Sequence, residues 1–239
     1  MDLPGYVALT RASGLLKEMQ SVANNIANIS TTGFRREGVV FAEMVQALPA
    51  EGGSVAMTAA RGRFTDEAQG ALVETGGTLD LAIEGEGYFT VMTAQGERLT
   101  RAGAFTRNAD GEVVDPAGNR LLDEGGGPIV IPFEAEHVGV ASDGTLSVDG
   151  APVAKVGLVT VEDQTTMTRE GGALFAADNA VPMIDGRIVQ GSLEQSNVNP
   201  VMEMARMIEV QRAYEYGMKL ADGEDERIRL VVRTLGARG

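Results

Sequence analysis

The sequence predicts an α+β protein in which heptad-patterned helices at both ends of the chain form a coiled-coil stalk and the middle forms an antiparallel all-β domain. The terminal segments carry apolar residues at alternating steps of three and four, the spacing of a helical seam. The middle segment instead has short apolar runs separated by glycine-containing turns, which is typical of hairpin-linked strands. We therefore divide the chain into a stalk (1–36 with 191–239), a linker (37–70) and a central β-domain (71–190).

The C-terminal helix is predicted to begin at Pro200. Asn199 is a favoured N-cap residue, and proline suits the first helical position because its missing N–H would have no partner there. We expect residues 222–226 to interrupt the helix, because they place a glycine among four acids. The apolar seam consists of Met207, Val210, Tyr214, Gly217, Ala221, Ile228, Val231 and Leu235. A second strip widens the apolar surface beyond what one partner helix covers, and it consists of Val201, Ala205 and Ile208.

The N-terminal helix is predicted over residues 4–29. Asp2 and Pro4 occupy positions where a helix start favours them. Since this helix repeats the spacing of the C-terminal one, we expect the two ends of the chain to pair in a single stalk. Its apolar seam consists of Leu15, Met19, Val22, Ile26 and Ile29.

Three asparagines, Asn24, Asn25 and Asn28, crowd the end of this helix, although their side chains compete for backbone hydrogen bonds and disfavour helix interiors. Two interpretations are open. The asparagines can simply end the helix ahead of residues 30–33. Alternatively Asn24 and Asn28, which are four residues apart and so share one face, hydrogen-bond across subunit contacts and fix their register.

The residues after this turn are predicted to lead the chain out of the helix. Gly33 offers the left-handed conformation that a helix exit often needs, and Phe34 can then anchor the chain. Arg35 and Arg36 are interpreted as an exposed basic pair on an ordinary solvated surface.

Composition argues against several classes of function. A formal net charge of −14 opposes binding to nucleic acid, which requires clustered Lys and Arg. The sequence has no apolar run of about 18 residues for membrane insertion, and its start lacks the pattern of a secretory signal. These features by themselves suggest a cytoplasmic protein. The lack of cysteine fits a reducing compartment, and it equally fits a chain that is exported unfolded.

Candidate catalytic and metal sites are weak. Asn108, Asp110, Glu112 and Asp115 offer oxygen ligands, but they lack the spacing of the common calcium loop and sit where hairpin turns require such residues. His137 is the only histidine and the sequence has no cysteine, so the familiar zinc patterns cannot be assembled. A serine nucleophile would need His137 as its base, but no nucleophile-elbow motif accompanies it. We predict no catalytic residue, no metal site and no cofactor, and hence no enzyme.

Four stretches, in this order, resemble the signatures of bacterial flagellar rod and hook proteins. They are ANNIANISTTGFRRE (23–37), LDLAIEGEGYF (79–89), LTRAGAFTRNADGEVVDPAGNRLL (99–122) and GSLEQSNVNPVMEMARMIEVQRAYE (191–215). Within the basal-body rod family, the opening with Met1, Asp2 and Tyr6 and the short segment between Phe41 and Ala71 are most similar to a proximal-rod subunit.

The resemblance implies a structural subunit of the flagellar basal-body rod, which assembles head-to-tail through its terminal helices into the helical axial drive shaft. It implies other rod proteins and copies of itself as partners, and export by the flagellar type III apparatus without a cleaved signal peptide. A distal-rod or hook subunit is the alternative within the class. The alternative from another class is a secreted calcium-binding β-domain with a helical oligomerisation stalk.

The seams and the family motifs together define a candidate assembly interface. It consists of Leu15, Met19, Val22, Asn24, Asn25, Ile26, Asn28, Gly33, Phe34, Leu193, Glu194, Ser196, Asn197, Val198, Asn199, Met207, Val210, Gln211, Arg212, Tyr214 and Glu215.

Overall fold

The computed structural model describes residues 3–47, 54–183 and 185–236. The chain divides into two compact units. Unit 1 takes in the described residues of Met1–Ala27, Glu37–Asp66 and Asn199–Gly239, and unit 2 takes in those of Asn28–Arg36 and Glu67–Val198. Every strand pairing between described residues is antiparallel, which confirms the predicted α+β class. Within these ranges no helix is both long enough and apolar enough to cross a membrane.

Unit 1 begins with helix α1 (Leu3–Ala27), with Pro4 in its first turn as expected. The helix ends two residues earlier than predicted, because the chain turns at once and the Thr31 N–H donates to the Asn28 carbonyl at 3.1 Å. The predicted role of Asp2 lies outside the described residues.

The segment predicted as a linker contains an antiparallel hairpin. Strand β1 (Glu37–Ala47) pairs with β2 (Ser54–Thr65), and the register shifts at a bulge between Val40 and Phe41. A bulge breaks the strict alternation by which a strand is recognised in a sequence, so alternation does not identify this hairpin in the linker segment. Residues 49–53, whose proline and glycines predict a loop, lie outside the described residues.

Helix α2 (Pro200–Gly236) runs without a break for 37 residues. The predicted interruption at residues 222–226 is therefore wrong. Two ion pairs span that stretch, Arg227 with Glu224 and Arg229 with Asp225, each at 2.7 Å. Pairs of this kind contribute only a few tenths of a kcal/mol each, but they offset part of the roughly 1 kcal/mol that glycine costs in a helix.

The interior of unit 1 is small. Helix α1 packs against α2 and against both strands of the hairpin. The predicted α2 seam is buried at Val210 and half-buried at Met207, Tyr214 and Ala221. The seam residues Ile228 and Leu235 are exposed, and the Val231 side chain lies outside the described part of the chain.

Unit 2 consists of short strands. They are β3 (Leu72–Glu74), β4 (Leu81–Glu84), β5 (Tyr88–Thr93), β6 (Gly96–Thr100), β7 (Thr106–Arg107), β8 (Val113–Val114), β9 (Arg120–Leu121), β10 (Val138–Val140), β11 (Thr145–Val148), β12 (Ala151–Lys155), β13 (Leu158–Val161), β14 (Thr168–Arg169), β15 (Leu174–Ala176), β16 (Ala180–Pro182), β17 (Arg187–Gln190) and β18 (Ser192–Glu194). A single turn of 3-10 helix, Gln164–Thr166, interrupts them.

The predicted hairpins are present in unit 2. Strand β5 pairs with β6, β7 with β8, and β10 with β11. The apolar residues of 153–161 predict one longer strand, but the structure divides this run between β12 and β13. Gly157 lies at the division, where a Cβ would come within 2.6 Å of the Asp123 carbonyl oxygen. The core is built from aliphatic and phenylalanine side chains, and its most buried members include Phe89, Val91, Leu121, Leu146 and Ile131.

The continuous α2 gives a prediction for Gly223→Ala. The site has open space for a Cβ, so the substitution should stabilise the local helix by about 1 kcal/mol without disturbing packing. Slower amide hydrogen exchange across residues 219–229, with unchanged exchange in unit 2, is the expected result. Unchanged exchange around residue 223 would contradict a helix that is continuous there.

Candidate assembly site and its buried polar clusters

The first buried polar cluster, the Asn25 cluster, consists of Asn25, Glu37 and Glu203. Asn25 Nδ2 donates to the backbone carbonyl of Glu37 at 2.8 Å and to the Glu203 carboxylate at 3.1 Å. Asn25 Oδ1 accepts from the Glu37 N–H at 2.8 Å. The three residues are 1%, 5% and 2% exposed. One side chain thus joins the last turn of α1, the first residue of β1 and the first turn of α2.

Asparagine suits this position because its amide carries an acceptor and two donors in one plane. The amide pairs with the N–H and C=O of Glu37 much as a neighbouring strand would. Its remaining N–H donates to the Glu203 carboxylate, which reduces the free-energy cost of burying that carboxylate. An aspartate would lose both donors, and an apolar residue would leave the Glu37 backbone groups unsatisfied.

Sequence analysis left two roles open for the asparagines near the end of α1, namely ending the helix and hydrogen bonding across subunits. The Asn28 Oδ1 accepts from the Thr31 hydroxyl at 3.0 Å, within the turn that follows α1, which favours the helix-ending role for Asn28. Asn25 serves the interior of unit 1 instead. Hydrogen bonding of Asn24 and Asn28 across subunits stays a prediction.

An ion pair joins the two helices one turn further along. Arg206 of α2 contacts Glu18 of α1 at 2.5 Å and Glu209 on its own helix at 2.9 Å. Burial acts to lower the pKa of Arg206, but its hydrogen bonds to Glu18 and Glu209 outweigh that effect and raise the pKa above its usual value. The guanidinium is therefore charged at any physiological pH, and the pair holds α1 against α2.

The second cluster, the Glu194 cluster, lies in unit 2 and consists of Glu194, Arg35 and Arg101. The Glu194 carboxylate contacts Arg35 at 3.0 Å and Arg101 at 3.2 Å. All three residues are at most 4% exposed. The expectation that Arg35 is a solvated surface residue is therefore wrong, while Arg36 is half-buried.

The two arginines also bind backbone carbonyls. Arg35 donates to Glu67 at 2.7 Å and to Ala68, and Arg101 donates to Ile83 at 3.3 Å and to Gly85. Burial lowers the pKa of Arg101 from its usual value, and the Glu194 carboxylate opposes that shift. A single buried carboxylate thus compensates two buried guanidinium groups, whose terminal nitrogens also donate to peptide oxygens. The Nε atom of each arginine is buried without a hydrogen-bond partner among the described residues.

The segment from Gly33 to Arg36 is held within unit 2. Gly33 has a φ of 66°, and a Cβ there would lie 2.3 Å from the Arg101 carbonyl carbon, so only glycine fits. Phe34 is 1% exposed, as the anchoring expectation requires. The Arg169 guanidinium lies 4.5 Å from its ring and donates to the Arg35 carbonyl at 2.6 Å.

The polar segment before α2 satisfies backbone groups as predicted. Asn199 Oδ1 accepts from the N–H groups of Val201 and Met202, both at 3.1 Å, which confirms it as the N-cap. Asn197 Oδ1 accepts from the Arg36 N–H at 2.6 Å, and its Nδ2 donates to the Ala68 carbonyl at 2.8 Å. The side chains of Asn197 and Asn199 therefore stabilise the fold of the chain itself.

The candidate interface residues fall into three groups by exposure. The side chains buried inside the chain are Val22, Asn25, Gly33, Phe34, Glu194, Val198 and Val210. The half-buried ones are Leu15, Met19, Asn24, Ile26, Asn28, Leu193, Ser196, Asn197, Met207 and Tyr214. The exposed ones are Asn199, Gln211, Arg212 and Glu215. Only the last two groups present surface to another molecule, and their role in assembly stays a prediction.

Sequence reasoning missed three residues that complete the clusters, namely Glu37, Arg101 and Glu203, and it also missed the half-buried Arg169, which contacts the Phe34 ring. Each is a charged residue in a segment whose local pattern gives no sign of burial. Pairing is decided by partners distant in the chain, so no local signal marks these residues.

The residues considered as calcium ligands form turns. Asn108 Oδ1 accepts from the N–H groups of Asp110 and Glu112, both at 2.9 Å, and Asp115 Oδ1 accepts from Asn119 N–H at 2.8 Å. In the part of the chain that the structure describes, no group of three or more His, Cys, Asp or Glu residues is arranged to hold a metal.

Three family profiles match the chain. Residues 6–35 match the flagella basal body rod protein family, residues 82–148 match the D1 domain of the flagellar hook protein FlgE/F/G family, and residues 189–233 match the C-terminal region of flagellar basal body rod FlgEFG proteins. These regions contain residues of both buried clusters.

Curated relatives match over nearly the whole chain. The flagellar basal-body rod protein FlgF of Caulobacter vibrioides is 42% identical, with 99% of each chain covered. The FlgF of Mesorhizobium japonicum is 35% identical over 98% of each chain. The flagellar basal-body rod protein FlgG of Bacillus subtilis is 30% identical over 95% of this chain and 97% of its own.

The Asn25 cluster gives a prediction for Asn25→Asp. The variant carboxylate would face both the Glu203 carboxylate and the Glu37 carbonyl without a donor, so we expect unfolding free energy to fall by at least about 3 kcal/mol. Urea denaturation measures the loss. Adding Glu203→Gln should recover part of it, because the new amide at position 203 can donate to the carboxylate introduced at position 25.

Asn28→Asp is the matched control for this substitution. It introduces the same charge near the C-terminal end of α1, but its carboxylate can still accept from the Thr31 hydroxyl, so the loss should be small. Equal losses for the single Asn25→Asp variant and its double variant would contradict the contact with Glu203.

The Glu194 cluster gives a prediction for Glu194→Gln. Removing the charge leaves two buried guanidinium groups uncompensated, which should cost about 3–5 kcal/mol of unfolding free energy. The control is Glu84→Gln, which breaks an exposed pair with Arg187 and should cost at most about 1 kcal/mol. Similar losses of unfolding free energy in the two variants would show that the buried Glu194 charge contributes no more to stability than an exposed one.

Proposed function

The chain belongs to the flagellar basal-body rod protein family, and on that premise we propose that it is a structural subunit of the proximal part of the rod. The full-length similarity to FlgF relatives supports this assignment. The alternative of a distal-rod subunit rests on the weaker similarity to FlgG relatives. No observation favours the calcium-binding alternative.

The observation that carries the proposal is the imbalance of apolar surface in unit 1. Among its described side chains, the fully buried apolar ones are Ala12, Val22 and Val210. Exposed large apolar side chains are far more numerous, and on α2 they are Val201, Met202, Met204, Ile208, Tyr216, Met218, Leu220, Ile228, Leu230, Val232 and Leu235. A helix with so much exposed apolar surface is expected to bind another protein.

The different lengths of the two helices also support an assembly role. At about 1.5 Å per residue, the 37 residues of α2 extend well beyond the reach of the 25 residues of α1. The exposed apolar residues at the end of α2 therefore lie beyond α1 and are left for another molecule to cover. Other subunits supply these helices in the proposed assembly, and the paired terminal helices then form the coiled-coil stalk.

The proposed mode of assembly is head-to-tail contact through the terminal helices. Contacts of this heterologous kind do not close on themselves when the rotation between copies is suitable, and they then generate helical tubes. Partners are other rod proteins and copies of the chain. The location is the flagellar basal body, reached through the flagellar type III apparatus without a cleaved signal, and the role is structural and not enzymatic.

The proposal is tested by Ile208→Asp. Ile208 is 52% exposed on the outer face of α2, so a charge there leaves the fold intact but would be buried without a partner in an assembled rod. In cells that lack the native gene, we expect the variant to restore neither swimming nor the protein's presence in purified basal bodies. Ile208→Leu is the apolar control and should restore both.

The purified Asp variant should keep the circular dichroism spectrum and the unfolding midpoint of the native chain. Normal incorporation of the Asp variant would contradict an assembly role for this face. If loss of the whole gene left swimming unchanged, the proposed function itself would be wrong.

A further inference from the structure

Strand β3 of unit 2 has one paired edge and one open edge. Among the described strands it pairs with β18 alone. At its two ends, the Ala71 carbonyl accepts a backbone hydrogen bond from the β18 side at 2.9 Å, and the Thr75 N–H donates one to that side at 2.7 Å. Because hydrogen-bonded residues alternate along an antiparallel pair, Val73 also faces β18. The backbone N–H and C=O groups of Leu72 and Glu74 therefore point away from it.

The open edge of β3 is accessible to another chain. Leu72 and Val73 are 38% and 39% exposed, and Glu74 is exposed beside them. Two other edge strands contain an exposed proline, Pro152 in β12 and Pro182 in β16, which has no N–H and so hinders the addition of a strand. Strand β3 has no such residue. Its free backbone groups are complementary to an extended segment.

Strand β2 of unit 1 offers an edge of the same kind. The N–H and C=O groups of Glu37 both bind the Asn25 side chain, so they point away from β2. Glu37 lies opposite Thr65 in the β1–β2 pair. By the same alternation, the backbone groups of Thr65 and Arg63 point away from β1. Arg63 and the intervening Phe64 have exposed side chains.

The two open edges match in backbone, charge and apolar surface. An antiparallel alignment of residues 63–65 with residues 72–74 places Arg63 opposite Glu74 and Phe64 opposite Val73. The outward backbone groups of the two strands then face each other, as hydrogen bonding requires. Opposite charges and an aromatic residue beside a β-branched one are both favourable cross-strand pairs.

The Arg63 guanidinium has room for this second carboxylate. Its contact with Glu37 in its own chain is long, 3.8 Å, and its side chain remains 58% exposed. A register slip by one residue would exchange the faces of the two strands and place Phe64 opposite Glu74. The charged pair therefore favours one register.

We propose that β2 of one copy of the chain adds to the open edge of β3 of a second copy as an antiparallel strand. This inference rests on the proposed function and names one contact between subunits. Each copy contributes a different edge to its two neighbours, so the contact is heterologous. Such a contact extends an assembly and need not close it.

The contact is tested by disulfide cross-linking, for which the chain is suited because its sequence has no cysteine. Directly opposite residues in a pair that is not hydrogen-bonded have Cα atoms about 4.5 Å apart, within the range that a disulfide spans. Phe64→Cys and Val73→Cys chains are produced together in cells that lack the native gene. Mild oxidation of their basal bodies should give a dimer whose linked peptides join positions 64 and 73.

The matched control replaces Val73→Cys with Val153→Cys. Val153 is a similarly exposed valine, 49%, on β12, the edge strand that contains Pro152. Its mixture with Phe64→Cys should give at least several-fold less dimer. Because each chain carries a single cysteine, a link between positions 64 and 73 can only join two copies.

The charged pair is tested in the same assay by adding a substitution at Glu74 to the Val73→Cys chain. Glu74→Arg places a cation opposite Arg63 and should lower the dimer yield several-fold. Glu74→Asp keeps the charge and should retain most of the yield. Equal yields for the two variants would overturn the assigned register.

A photoreactive benzophenone side chain at position 73 tests which molecule occupies the edge. Cross-links to residues 62–66 of a second copy are expected. A cross-link to a different rod protein in their place would overturn the proposal.

The outcomes separate this contact from the proposed function. If a strain without the gene does not swim and the cysteine variants restore swimming without forming the dimer, the contact is wrong while the rod function stands. If the strain without the gene swims normally, the proposed function fails, and the contact that rests on it fails too.

Discussion

The three hydrogen bonds of the Asn25 amide are the constraint on which unit 1 depends. They join the end of α1, the start of β1 and the start of α2, so the direction in which each element leaves the interior is fixed at one side chain. Few fully buried apolar side chains surround it. Because hydrogen bonds are directional and apolar contacts are not, such a small interior can still specify one arrangement of its elements.

In unit 2, buried charged side chains hold the segment that contains Arg35 in place. The interior of this unit has a large apolar core, and the Glu194 cluster adds an ion pair network to it. Buried ion pairs contribute little net stability when compared with apolar packing, but breaking one is costly. The network therefore selects a single position for the Gly33 to Arg36 segment. The apolar core supplies most of the stability.

The contrast between the units explains how one chain can be stable and still prepared for assembly. Unit 2 buries most of its large apolar residues in its own core, whereas α2 of unit 1 leaves many of its apolar residues exposed. Those residues stabilise the protein only when another molecule covers them. In the proposed assembly, this exposed apolar surface contributes free energy when another subunit covers it.

Local chemistry in the sequence determined the helices, the Asn199 cap, the left-handed Gly33, the hairpins around β5 to β8 and the family, because each depends on residues close together in the chain. The tertiary structure decided the β1–β2 hairpin, the continuity of α2 through Gly223 and the burial of Arg35. A bulge conceals strand alternation, and ion pairs along a helix can offset part of the free-energy cost of a glycine. The charge on Arg35 is buried only because Glu194, far away in sequence, neutralises it, and no local pattern records such a partner.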